Sequence, residues 1–238
     1  METDEPTTEQ VDAERAQALA RMRDLARSGS GVPQSPLRAP AERCDICNTT
    51  IPDEHRHLLH LTERRIVCSC EPCWALYSGD AEYRPTGMRE LWLDGFACDD
   101  ETWAAFQIPI GLAFFMRSTV IPDDRRPSST PYDGAQAGSV VAFYPSPAGA
   151  TESELPLEAW ARLVAANPVL EQLDPDAEAL VVNRLSDPPQ YAILPIDRCY
   201  ELVGLIKSRW EGISGGSAIE QAVPEFFARL RARAAVAS

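Results

Sequence analysis

Residues 43–80 read RCDICNTTIPDEHRHLLHLTERRIVCSCEPCWALYSGD, and this stretch holds five of the chain's seven cysteines and all three of its histidines. Cys44 and Cys47 form one C-x-x-C pair, and Cys70 and Cys73 form a second, with 22 residues between the pairs. A C-x-x-C turn lets two thiolates converge on one ion, and two such turns close a tetrahedral site of four sulfurs. Zinc and iron both suit that donor set, with zinc the commoner where the site serves structure. Cys44, Cys47, Cys70 and Cys73 are therefore the candidate metal ligands. Zn2+ is the expected ion, with iron or an iron–sulfur cluster as the alternative. Buried thiols or disulfides are the competing reading, and two matched pairs at this spacing weigh against it.

The residues between the pairs fit a hairpin. Positions 55–61 and 66–69 read as short strands, with the turn at 62–65. Asn48 directly follows the first pair, where the chain turns through positive φ, and Asn tolerates that conformation best after Gly. Residues 74–77 read as the start of a helix whose N-terminus would stabilise the Cys70 and Cys73 thiolates. Knuckle, hairpin, then knuckle plus helix describes a treble-clef or zinc-ribbon-like module.

Cys68 is the fifth candidate ligand. It reads as a bystander in the second strand, a substitute ligand, a free reactive thiol or a member of a cluster. The C-x-C-x-x-C run matches no common cluster spacing, and four ligands suffice for zinc, so the bystander reading is preferred. His55 and His57 alternate and would share one strand face, with His60 on the other. They can form a second metal site or tune the first. A solvated strand face beside Arg56 is the preferred reading, because four cysteines already close a site.

Charge narrows the partners. The 238-residue chain carries a net charge of −14, which argues against nucleic acid and anionic membrane. The Cys-rich stretch has no basic footprint of its own, since residues 41–80 hold seven acids against four arginines. The opening METDEPTTEQ is acidic and polar, the reverse of a secretory signal. The most apolar stretch, residues 108–120, is too short to span a bilayer and contains Arg117. A cytoplasmic protein that uses paired cysteines for metal is the expectation.

Beyond the module the chain divides into three regions. Residues 1–41 are a flexible tail, with a thin apolar stripe for a helix at 8–27 and then a Gly/Ser/Pro linker. Residues 42–80 are the metal-binding module. Residues 81–238 are an α+β domain: an antiparallel sheet of about four strands packed with helices. Its strands fall at 110–117, 139–144, 178–185 and 190–194, with a candidate short strand at 90–93. Residues 121–138 are a long polar loop. Helices fall at 99–107, 155–166, 196–211 and from 217 to about 235. Thr151 with Glu154 fits a capping box, and Leu157, Trp160, Leu163 and Val164 would share one helix face. The Ser214–Ser217 turn lacks the residues of a phosphate loop and reads as a plain interhelical turn. Cys98 and Cys199 read as core thiols. No catalytic motif stands out, so no catalytic residue is assigned.

Three blocks carry a likeness to a known family: RCDIC…DEHRHLLHL…CSCEPC, VVAFYPSPAGATESELPLEAW and PIDRCYELVGLIKSRWEGISGG. Together they resemble an actinobacterial family of unknown function associated with the gene clusters of nickel–iron hydrogenases. The resemblance covers most of residues 43–220 and implies a cytoplasmic accessory role in assembling, maturing or electronically connecting a hydrogenase. Its implied partners are hydrogenase subunits or maturation factors. It carries over Cys44, Cys47, Cys68, Cys70 and Cys73 and no catalytic residue. The expectation is a non-enzymatic zinc-binding accessory or scaffold protein. The alternative is a rubredoxin-like or iron–sulfur electron carrier serving a redox enzyme.

Overall fold

Leu112–Ser118 is an almost unbroken apolar run, and such a run needs cover on both sides. In the computed structural model it is β5, an interior strand of a seven-stranded sheet. The structure describes residues 41–120, 139–153, 155–211 and 216–237. In chain order the strands are β1 (Arg56–His60), β2 (Arg65–Ser69), β3 (Tyr83–Pro85), β4 (Leu91–Leu93), β5, β6 (Ser139–Ser146), β7 (Gly149–Ser153), β8 (Glu178–Asn183), β9 (Gln190–Pro195) and β10 (Ala235–Ala237). The helices are α1 (Glu71–Tyr77), α2 (Asp100–Ala105), α3 (Leu157–Ala166), α4 (Ile196–Ser208) and α5 (Ser217–Arg233), with a 3-10 turn at Pro168–Gln172. The tail 1–40, its expected helix and linker, and the loop at 121–138 lie outside the described residues, as do Ser214 and Gly215.

The large sheet runs β10-β4-β9-β8-β5-β6-β7, antiparallel throughout except for the β10–β4 pair. Alternation along β5 sends Leu112, Phe114 and Met116 into one core and Ala113 and Phe115 into another. The first core is roofed by α4 and α5 through Cys199, Leu202, Val203, Ile206, Phe226, Phe227 and Leu230. The second is floored by Phe106 at the end of α2, by Ala159, Trp160 and Leu163 of α3, and by Leu170 and Leu173. Helices therefore lie on both faces. Rings stack across each layer: Phe114 on Phe143 with centroids 4.9 Å apart, and Phe115 on Trp160 at 5.9 Å.

The sheet is larger than the four strands expected, and the reason is physical. The extra strands β4, β7 and β10 lie at or next to the edges and are only three to five residues long, too short to carry a strand pattern of their own. β7 reads GATES and hairpins back onto β6, so Thr151 belongs to a strand rather than to a helix cap. β10 is three residues that pair with β4 only after α5 has carried the chain across the sheet. Helix α3 starts at Leu157, which is exposed, while Ala159 is buried in its place. Trp210 falls beyond the end of α4.

Residues 42–238 form one compact unit. Within it the hairpin β1–β2 is widened by β3 into a small separate sheet, ordered β2-β1-β3. Leu59 of β1 is fully buried in the α4–α5 core. After β3, Gly87 donates its N–H to the Ala177 carbonyl at 2.9 Å. A Cβ at Gly87 would stand 2.8 Å from the Glu178 side chain, so glycine is required for that approach. Glu178, buried, receives Arg89 through both carboxylate oxygens at 3.1 and 2.6 Å. No helix among the described residues is long and apolar enough to cross a membrane.

Candidate metal centre

The first knuckle is built by backbone hydrogen bonds around Cys44. Asn48 N–H reaches the Cys44 carbonyl at 2.8 Å, and Cys44 N–H reaches the Thr49 carbonyl at 2.8 Å. Asn48 makes the turn at φ 61°, the left-handed conformation expected of it. Arg43 and Thr50 close the turn with an antiparallel bridge. The second knuckle runs directly into α1. Cys70 is the residue before the helix, its carbonyl accepts the Trp74 N–H at 2.8 Å, and Pro72 lies in the first turn.

The two knuckles face one another. One sulfur from each of Cys44, Cys47, Cys70 and Cys73 lies within 4.8 Å of the other three. Cys47 Sγ and Cys70 Sγ are 3.6 Å apart. Cys44 is buried, Cys47 is exposed, and Cys70 and Cys73 are half-buried. Arg56 links the hairpin to α1, with its guanidinium 4.1 Å from the Trp74 ring centroid and its Nε 3.1 Å from Glu71 Oε2.

The acidity of Cys44, Cys70 and Cys73 shows what this crowding demands. Burial pushes Cys44 up, but hydrogen bonds from the backbone of Cys47, Cys70 and Ile46 outweigh it and bring Cys44 down to about 6. Cys73 is pushed up to about 12 by desolvation and then by the sulfurs of Cys70, Cys47 and Cys44. Cys70 is drawn down by the Cys73 backbone N–H, yet desolvation and the Cys47 and Cys44 sulfurs leave it raised overall. Cys44 becomes the anion, while Cys70 and Cys73 keep their protons. Four thiolates can coexist at these distances only around a cation, so the donor set fits a divalent metal ion.

Cys68 is outside that group of four. It lies on β2 directly opposite His57 of β1, and its sulfur lies within 4.8 Å of one ring nitrogen of His55 and of His57. Burial, then the Asp45 and Glu42 carboxylates, push the Cys68 thiol up to about 11, against the reading of a reactive free thiolate. The His55 side chain is only 6% exposed, so the expected solvated strand face is not what the fold makes of it. His60 turns away as expected and stacks edge-on against Tyr83, 5.1 Å between centroids. Sequence spacing could not show that Cys68 joins the histidines, because the cross-strand register depends on the turn. Arg64, at φ 50°, completes that turn.

Of the two remaining cysteines, Cys199 is fully buried in the core. Cys98 is half-buried against the second core, with its carbonyl accepting Arg184 at 2.9 Å.

The sequence model of the family of unknown function (DUF5947) matches residues 43–234. That span begins at the first knuckle and ends just short of β10. No curated protein and no solved structure matches the chain.

Proposed function

The chain belongs to the family of unknown function (DUF5947), and on that premise we propose that it is a non-enzymatic scaffold whose Cys-rich hairpin is ordered by one structural Zn2+. One observation carries the reading: four cysteine sulfurs, from two knuckles, lie within 4.8 Å of one another. Cys44, Cys47, Cys70 and Cys73 would hold the ion. With four protein ligands there is no open coordination position, and a closed S4 site supplies folding energy rather than chemistry. The net charge of −14 favours a protein partner over nucleic acid. A hydrogenase subunit or maturation factor as that partner, and a cytoplasmic setting, rest on the resemblance and on cysteine usage alone.

A second reading has one observation in its favour. Cys47 is exposed, so an iron held by these four sulfurs would have a ligand at the surface. That arrangement suits a rubredoxin-like electron carrier. Metal analysis with a visible spectrum, on protein purified without air, separates the two readings. Colourless protein that loses the zinc of the four-cysteine site in Cys47→Ser is the expected result. Iron with visible bands that bleach on reduction would overturn the scaffold reading in favour of electron transfer.

A further inference from the structure

The hairpin that brings the four cysteines together also assembles a second donor set that shares no residue with the first. His57 and Cys68 are cross-strand partners, so their side chains stand on the same face of β1–β2. His55 lies two residues before His57 and therefore on that face too, with the ring centroids 4.6 Å apart. One ring nitrogen of each histidine and the Cys68 sulfur lie within 4.8 Å of one another.

The Nδ1 nitrogen of each histidine has a partner. His57 Nδ1 is 2.9 Å from Asp197 Oδ2, and the second oxygen of Asp197 accepts the Arg198 N–H at 3.0 Å. Asp197 sits in the first turn of α4, so the sheet domain itself orients this ring. His55 Nδ1 donates to the Pro52 carbonyl at 2.9 Å and faces Glu42 Oε2 at 3.3 Å. With Nδ1 donating to a carbonyl, the neutral ring presents a bare lone pair at Nε2. That atom is buried and has no hydrogen-bond partner, on a side chain that is only 6% exposed. A buried acceptor without a donor is costly, and a cation satisfies it. A carboxylate or carbonyl on the far nitrogen is the arrangement that fixes metal-binding histidines.

We propose that His55, His57 and Cys68 form a second divalent-metal site, which takes Zn2+ through three protein ligands and leaves a fourth position for an exchangeable ligand. Two neutral imidazoles, one thiolate and the Asp197 carboxylate sum to −2, which a Zn2+ ion neutralises. The site borders a cavity of about 860 Å3 lined in part by Asp53, Glu54, Arg198, Tyr200 and Glu201. His55 and His57 line that cavity, and three protein ligands with a fourth position left open is the composition of zinc sites that bind water or substrate rather than only structure. The second site holds whether the four-cysteine site carries zinc or iron.

The test is metal stoichiometry on the full chain, stripped by chelator under reducing conditions and titrated with Zn2+, and with Co2+ as a coloured probe. Wild-type protein is expected to take two equivalents. His55→Ala and Cys68→Ser are each expected to take one, and to keep the cobalt–thiolate absorption of the four-cysteine site. Cys47→Ser loses that absorption instead, so failure at one site is distinguishable from failure at the other. Cys68→Ser is nearly isosteric and leaves untouched the backbone N–H that Cys68 donates to Asp45 Oδ2 at 2.7 Å, so it keeps the fold in which the count is read. Asp197→Asn should weaken the second equivalent about 10- to 100-fold without changing the first. One equivalent in the wild type, or two undiminished in Cys68→Ser and His55→Ala, would overturn the proposal.

Discussion

At the scale of single residues, three of the clustered cysteines, Cys44, Cys70 and Cys73, differ in what they do with a proton. Cys44, held near 6, is already a thiolate at neutral pH, whereas Cys70 and Cys73 are raised and keep theirs. A metal ion must displace the protons from the raised pair, so binding is coupled to pH with a definite sign. Apparent Zn2+ affinity should rise with pH from about 6 to 8, by about two or more logarithmic units per pH unit. Competition against a coloured chelator across that range measures the slope, and a slope below one would mean that Cys70 and Cys73 had already lost their protons. The left-handed turn at Asn48 was legible from sequence because its cause is local. The role of Cys68 was not legible, because it depends on which residue of β1 stands opposite it.

Among the elements, the hairpin and α4 form the critical pair. The hairpin turn docks there through Tyr200, whose hydroxyl donates to the Arg64 carbonyl at 2.6 Å, while Arg64 pairs with Glu152 of β7. Burial pushes Tyr200 up to about 12, so it stays protonated and remains a donor. Tyr200→Phe removes one hydrogen bond, a loss of about 1 kcal/mol, which corresponds to roughly fivefold more frequent opening of the hairpin. Hydrogen exchange of residues 56–69 would report it, and unchanged exchange would show that other contacts hold the turn. Helix α5 makes a different case. Pro224 lies inside it, exposed, between the buried pairs Ala222–Val223 and Phe226–Phe227. The buried pattern forces a helix through a residue that cannot donate to the previous turn. Pro224→Ala should therefore raise stability by about 1–3 kcal/mol in urea unfolding. The apolar spacing of α4 and α5 was readable because it repeats every three to four residues. β7 and β10 have no such pattern, since an edge strand is defined by its neighbour rather than by its own side chains.

At the scale of the whole molecule, two kinds of order meet within one unit. The seven-stranded sheet has apolar layers on both faces and draws its stability from burial. The small sheet β2-β1-β3 has few buried apolar side chains, namely Leu58, Leu59 and Val67, and of these Leu59 belongs to the larger core. About 40 residues cannot bury enough surface to fold alone, so a bound ion is the expected source of the hairpin's order. The parts are tied by side chains and one backbone hydrogen bond rather than by a shared sheet: the His57–Asp197, Arg64–Glu152 and Arg84–Asp174 pairs, Tyr200 on Arg64, the Gly87–Ala177 hydrogen bond, and Leu59, Leu61 and Ile66 against the larger core. Removing metal should therefore act locally. In protein stripped by chelator, or in Cys47→Ser, peptides covering residues 42–80 should exchange amide hydrogen about tenfold faster or more. Peptides covering β5 and β8 should be unchanged, because their strands lie at the middle of the sheet between two helical layers. If β5 and β8 lose protection together with the hairpin, these ties couple the two sheets, and the metal supports the entire fold.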